Sequence, residues 1–128
     1  MRILLLGLFG ALLCACAEMP SEDQAKAADY GSKPENYQEI VKNYYKFSLS
    51  DPDSALYDTI SEPRRYWLAS KLEGAKYGYL VCATLNSKNM FGAYSGYETN
   101  ALLIHNGEVI EHISGGSWGG QNICPKAE

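Results

Sequence analysis

Two histidines and two glutamates fall close together at His105, Glu108, Glu111 and His112, and four cysteines stand at positions 14, 16, 82 and 124. Imidazoles beside carboxylates could hold a divalent ion or share acid and base roles, and a thiolate beside an imidazole could attack a carbonyl. The spacing argues against the metal. Asn106-Gly107 accepts the positive φ values of a two-residue hairpin, which places His105 opposite Glu108 and His112 opposite Ala101. The histidines then share a face but lie roughly 13 Å apart at about 3.3 Å per residue, too far to ligate one ion. His105 with Glu108 reads as an exposed cross-strand pair. The chain carries no phosphate-binding glycine loop, no His-Glu-x-x-His helix and no Gly-x-Ser-x-Gly elbow. No catalytic residue, cofactor or metal ligand is therefore assigned.

Which cysteines are available depends on where the protein works. Arg2 is followed by an apolar run, Ile3 to Leu13, broken only by Gly7 and Gly10, and then by a small-residue cluster. This is an export signal occupying residues 1–17. As a helix the run is roughly 16 Å long, short of the roughly 30 Å needed to span a bilayer. Leu13-Cys14-Ala15-Cys16 resembles the lipobox of bacterial lipoproteins, in which a leucine three residues before the cysteine positions a thiol for lipidation. The resemblance implies a mature chain starting at lipidated Cys16. Because Ala17 rather than Asp follows, it also implies an outer-membrane lipoprotein facing the periplasm. Cleavage after Ala15-Cys16-Ala17 would instead release a secreted or soluble periplasmic protein beginning at Glu18.

Lipidation leaves Cys82 and Cys124 as the remaining pair in an oxidising compartment, so one disulfide is expected between them. Closing that loop stabilises by about 4 kcal/mol on a chain-entropy model. A cysteine nucleophile paired with His105 or His112 would need a reduced thiolate where thiols oxidise. The chain has 11 basic and 15 acidic residues, and only Arg64-Arg65 stand together as a basic pair, so nucleic acid is not an expected partner.

The segment from Asn86 to Tyr97 is too long for a tight turn, and its Asn, Ser, Gly and Tyr content suits an adaptable recognition loop. Asn86, Lys88, Asn89, Tyr94 and Tyr97 are its candidate contact residues. The same composition suits a structural clasp, with asparagines closing turns and tyrosines packing over the sheet. Asp51-Pro52-Asp53-Ser54-Ala55 and the run from Val81-Cys82 to Gly96-Tyr97 resemble a family of small exported bacterial proteins, lipoproteins among them, that is itself uncharacterised. Its pattern joins a Lys-Asp-Pro-x-Ser-Ala segment to Val-Cys-x-x-x-Asn-x-Lys-Asn-x-x-Gly-x-Tyr-x-Gly-Tyr, with Ser50 here replacing the Lys. The resemblance implies export and transfers no activity.

These residues need elements to position them. Residues 18–33 are polar and aperiodic, which reads as a flexible tether, leaving 34–128 as a single domain. Ser32-Lys33-Pro34-Glu35 matches a capping box, and Tyr37, Ile40, Val41, Tyr44 and Phe47 recur at helical spacing, predicting a helix over 33–49 with that stripe buried. Strands are predicted at 57–60, 65–71, 76–85, 97–105 and 108–113, the third being apolar on nearly both sides and hence central. The fold class is α+β: one N-terminal amphipathic helix on an antiparallel sheet of four or five strands, stapled by one disulfide. Trp118, among glycines, either covers the sheet or anchors a ligand.

Two functional classes fit. One is a binding module held at the membrane by its lipid, contacting an envelope protein or glycan. In one version it is an inhibitor of a secreted hydrolase of lysozyme type, where acidic charge attracts a basic enzyme. The other is an envelope enzyme built from carboxylates distant in sequence, and a passive assembly role completes the field.

Overall fold

The computed structural model describes residues 19–125, so the expected export signal over 1–17 and the expected lipidation at Cys16 lie outside the described residues. The organising element is the long strand β3 (Gly74–Asn86), at the centre of a five-stranded antiparallel sheet. Strand β4 (Glu98–His105) pairs along one side of it, with β5 (Glu108–Ile113) outside β4. Strands β1 (Leu56–Ile60) and β2 (Arg64–Ser70) lie end to end along the other side. The break between them falls at Pro63, which has no N–H to give to a ladder. Ser61 carries the ladder into that break: its N–H donates to the Cys82 carbonyl at 2.9 Å, and its Oγ accepts from the Cys82 N–H at 2.8 Å.

Because successive side chains of a strand alternate, β3 has to be covered twice. Val81, Ala83 and Leu85, with Leu102 and Ile104 of β4, form one core beneath helix α2 (Tyr37–Ser48), which contributes Val41 and Tyr45. Leu80, with Leu68, Ala101, Leu103 and Ile113, forms the second core beneath the C-terminal segment. That segment turns at Ser114–Gly116, pairs β6 (Ser117–Trp118) with β7 (Gln121–Asn122), and ends the second core with Ile123 and Cys124. The Cys82–Cys124 disulfide holds it down, with Cα atoms 5.7 Å apart. Gly116 adopts a φ of 62°, and a Cβ there would come within 2.8 Å of the Cys124 Cβ, so the segment can close over the disulfide only with glycine at this position.

The helix that packs on the sheet differs from expectation in three ways. It begins at Tyr37 rather than near 33, because the Ser32 N–H donates to Asn106 Oδ1 at 3.2 Å and this part of the chain is held to the β4–β5 turn instead. Its buried stripe contains Tyr45 in place of Phe47, whose side chain is 86% exposed at the last turn. Nor is it the first helix. The segment expected to be a flexible tether carries α1 (Glu22–Ala27), and the capping box belongs there, with Ser21 and Gln24 exchanging hydrogen bonds. After α1, Tyr30 is buried, its OH donates to the Ala25 carbonyl at 2.7 Å, and its ring meets Tyr77 edge-on at 5.5 Å.

The disulfide makes the second core a testable unit. Mass spectrometry without reductant should find Cys82 joined to Cys124. Replacing both by alanine should lower the thermal midpoint by about 10 °C or more, since removing a disulfide of this span costs about 2–5 kcal/mol. An unchanged midpoint would mean that packing alone holds the tail.

Candidate recognition loop

The connection between β3 and β4 is a fixed structure. Asn86 Oδ1 accepts from the Gly96 N–H at 3.0 Å, the Ser95 N–H donates to the Ser87 carbonyl, and Lys88 and Tyr94 form a β-bridge. Beyond the bridge, Asn89 organises the tip. Its N–H donates to the Ala93 carbonyl at 2.8 Å, its carbonyl accepts from the Gly92 N–H, and its Oδ1 accepts from the N–H groups of Phe91 and Ala93. Asparagine suits this place because its short side chain mimics a backbone acceptor. Gly92 supplies the left-handed residue the reversal needs, at a φ of 79°.

The loop is also tied to a second segment distant in sequence. Ser54 Oγ accepts from the Lys88 N–H at 2.8 Å and donates its own proton to the Asp51 carbonyl at 2.7 Å. The Tyr94 OH donates to the Ser54 carbonyl at 3.0 Å. The Asp51–Ala55 and Asn86–Tyr97 segments, singled out separately in the sequence, therefore meet at Ser54.

The five candidate contact residues divide accordingly. Asn86 and Asn89 spend their side-chain oxygens inside the loop, and Tyr94 spends its hydroxyl on the tie to Ser54. Lys88 lays its ammonium 5.6 Å from the centre of the Tyr94 ring. Tyr97 remains exposed where the chain enters β4. The largest apolar side chains at the tip are two that composition alone did not single out: Met90 is 80% exposed and Phe91 is 87% exposed. Their signal was available, as two adjacent large apolar residues set before a glycine in an otherwise polar loop. The arrangement offers apolar contact and open backbone groups, held at the end of the sheet by hydrogen bonds.

The histidine and glutamate cluster separates. A register shift between Leu103 and Ile104 pairs Leu102 with His112, where a regular hairpin would have paired Ala101 with it. One extra residue in β5 turns His112 to the opposite face from the one predicted, the expected outcome of a bulge in a two-residue period. His105, opposite Glu108 as predicted, bonds through Nδ1 to the Tyr77 carbonyl at 2.9 Å, and its Nε2 lies 4.0 Å from Asp29. Glu111 accepts from Lys76 at 2.8 Å. Among the described residues no group of three or more His, Cys, Asp or Glu converges to hold a metal ion.

His112 instead joins a buried polar chain under α2. The Gly115 N–H donates to Asn100 Oδ1, which orients the Asn100 amide to donate to the Tyr45 oxygen at 3.1 Å. The Tyr45 OH is 3.0 Å from His112 Nε2, and Tyr44 stacks on the imidazole. The hydroxyl can donate to Nε2 when the imidazole is neutral with its proton on Nδ1, and the lowered proton affinity of the ring favours that neutral form. Burial holds the imidazole below its usual range, against an opposing pull from Glu98 and Glu111. Burial likewise pushes the Tyr45 phenol up, opposed by the Asn100 hydrogen bond.

A pH dependence follows from that neutral histidine. In the unfolded chain the imidazole titrates near about 6.5, while in the fold its affinity for protons is lower, so the unfolded state binds more protons and stability falls as pH drops below about 6.5. Denaturation midpoints should therefore decline between about pH 7.5 and about pH 5, and His112→Gln, which keeps an acceptor for Tyr45 but cannot titrate, should flatten that decline. Identical slopes for the two proteins would exclude His112 as the source.

No protein-family model matches this chain, and no curated protein or solved structure matches it.

Proposed function

We propose that the protein is an envelope lipoprotein anchored through Cys16, and that it acts as a non-catalytic binding module that inserts its Met90–Phe91 tip into a concave apolar site on an envelope protein. The exposure of these two side chains on a loop already held by its own hydrogen bonds carries the reading. Burying a Met or Phe is worth about 1.5–3 kcal/mol each, and a preformed loop gives up little conformational entropy on docking. Methionine adapts its shape to an irregular pocket, while the phenylalanine is a stiffer anchor.

A protein partner fits this tip better than a glycan. The tip side chains Met90 and Phe91 are both apolar, which suits an apolar site on a protein, while behind them the Tyr94 ring lies against Lys88 and its hydroxyl is spent on Ser54, leaving Tyr97 as the exposed tyrosine of the loop. An inhibitor of a secreted hydrolase is the version most consistent with a protruding tip, because such enzymes carry concave clefts. The acidic balance of the chain, 15 acidic against 11 basic residues, would attract a basic enzyme of lysozyme type.

Two experiments test this reading. Cys16→Ser should move the protein from detergent-soluble membrane fractions to the soluble phase, and a purified mature chain beginning at unmodified Glu18 would end the lipoprotein claim. For the loop, wild-type protein should capture an envelope protein that a Met90→Ser, Phe91→Ser variant loses, with unfolding shifted by less than about 0.5 kcal/mol, as is usual for exposed positions. Ser54→Ala, which removes a hydrogen-bond partner of the clasp, should instead lower stability by about 1 kcal/mol. Undiminished capture by the tip variant would remove Met90 and Phe91 from the interface.

A further inference from the structure

Along the outer edge of β2, which among the described strands pairs only with β3, runs a cleft of about 450 Å³. It is lined chiefly by Met19, Tyr30, Trp67, Leu68, Trp118 and Ile123. Residues reach it from both faces of the sheet, since Trp67 and Leu68 alternate along the strand. The Trp118 indole N–H donates to the Ala69 carbonyl at 3.3 Å, which draws β6 over the same edge. Both tryptophans of the chain are here. Further along, the β2–β3 turn carries Leu72, which at 95% is the most exposed large apolar side chain described, next to exposed Lys71.

We propose that this end of the domain is seated on the lipid bilayer, with Met19, Leu72 and the aromatic edge of the cleft at the interface and the recognition loop pointing away. The inference rests on lipidation of Cys16. Cys16 precedes Met19 by three residues, which span at most about 10 Å even when fully extended, so an acyl group in the membrane holds the cleft close to the headgroups. The segment that follows turns back onto the domain: Met19 itself lines the cleft, and Tyr30 is fixed against Tyr77 with the Arg65 guanidinium over its ring at 5.3 Å, so the chain returns to the sheet at both ends of α1. Tryptophan and tyrosine favour the water–lipid boundary, where an apolar ring and a polar N–H or O–H are both accommodated. At the turn, Lys71 suits anionic headgroups, and the neighbouring Glu73 carboxylate is paired with Lys76. At the other end of β3, roughly 40 Å away at about 3.3 Å per residue, the Met90–Phe91 tip faces the opposite direction.

The two tryptophans allow a direct test. Full-length lipidated protein is reconstituted into vesicles of phosphatidylcholine and phosphatidylglycerol, with and without lipids brominated near the headgroup end of the acyl chain. Tryptophan emission should fall about twofold or more in the brominated vesicles, as expected for rings at interfacial depth. Leu72→Asp, a change at an exposed turn, should recover part of that emission while the protein still floats with the vesicles. Flotation with unquenched tryptophans would overturn the seated orientation and leave the anchor intact. Failure to float would overturn the anchor, and the orientation with it.

Discussion

Strand β3 cannot be left wet on either face, and most of the structure answers that constraint. Val81, Ala83 and Leu85 on one side are covered by α2, a regular amphipathic element whose apolar stripe is suited to the task. The cover itself creates a difficulty, because it buries the Tyr45 hydroxyl. Asn100 and His112 satisfy that hydroxyl, and the bulge in β5 is what brings His112 to the correct face. A buried hydroxyl without partners would forfeit much of what the helix gains by packing. Leu80 on the other side is covered by a glycine-rich tail with few apolar groups to contribute. Trp118 and Ile123 offset only part of the entropy lost in ordering that segment, and the covalent bond from Cys82 to Cys124 reduces the loss by restricting the unfolded chain.

A central strand this long also sets the two ends of the molecule to which the proposed contacts are assigned. At one end it turns back into β2 through Leu72, and at the other it runs into the loop carrying Met90 and Phe91. Neither end lies over a core. Each can therefore change its exposed side chains with little effect on folding, which is the condition for a contact surface to diverge independently of its scaffold.

Much of this architecture was legible in the sequence, for reasons that differ by element. The central strand announced itself through apolar residues on both faces, the β4–β5 turn through Asn106-Gly107, and the disulfide through the pairing left to Cys82 and Cys124. What escaped depends on contacts between distant residues. The start of α2 was displaced because Ser32 is held by Asn106, a partner 74 positions away. The bulge that separates the histidines leaves no local signature, since Val109, Ile110 and Glu111 would alternate acceptably in either register. Phe47 and Tyr45 are both plausible on the helical stripe, and the choice between them is made by Asn100 on a strand yet to be formed.

In the loop the residues that make the clasp and the side chains left exposed are different ones, so a clasp does not compete with the proposed interface. Asn86, Asn89, Gly92, Tyr94 and Gly96 form the turns, the bridge to Lys88 and the tie to Ser54. The side chains of Met90 and Phe91 take no part in those bonds, and they form the exposed tip. Holding the tip with backbone and amide hydrogen bonds leaves its side chains without internal duties. An exposed apolar side chain contributes little to the fold that carries it, so Met90 and Phe91 gain from burial only when something docks on them. The rigidity of the clasp reduces the entropy that such burial would otherwise consume, and an exposed apolar pair on a preformed support is a better binding element than the same pair on a mobile chain.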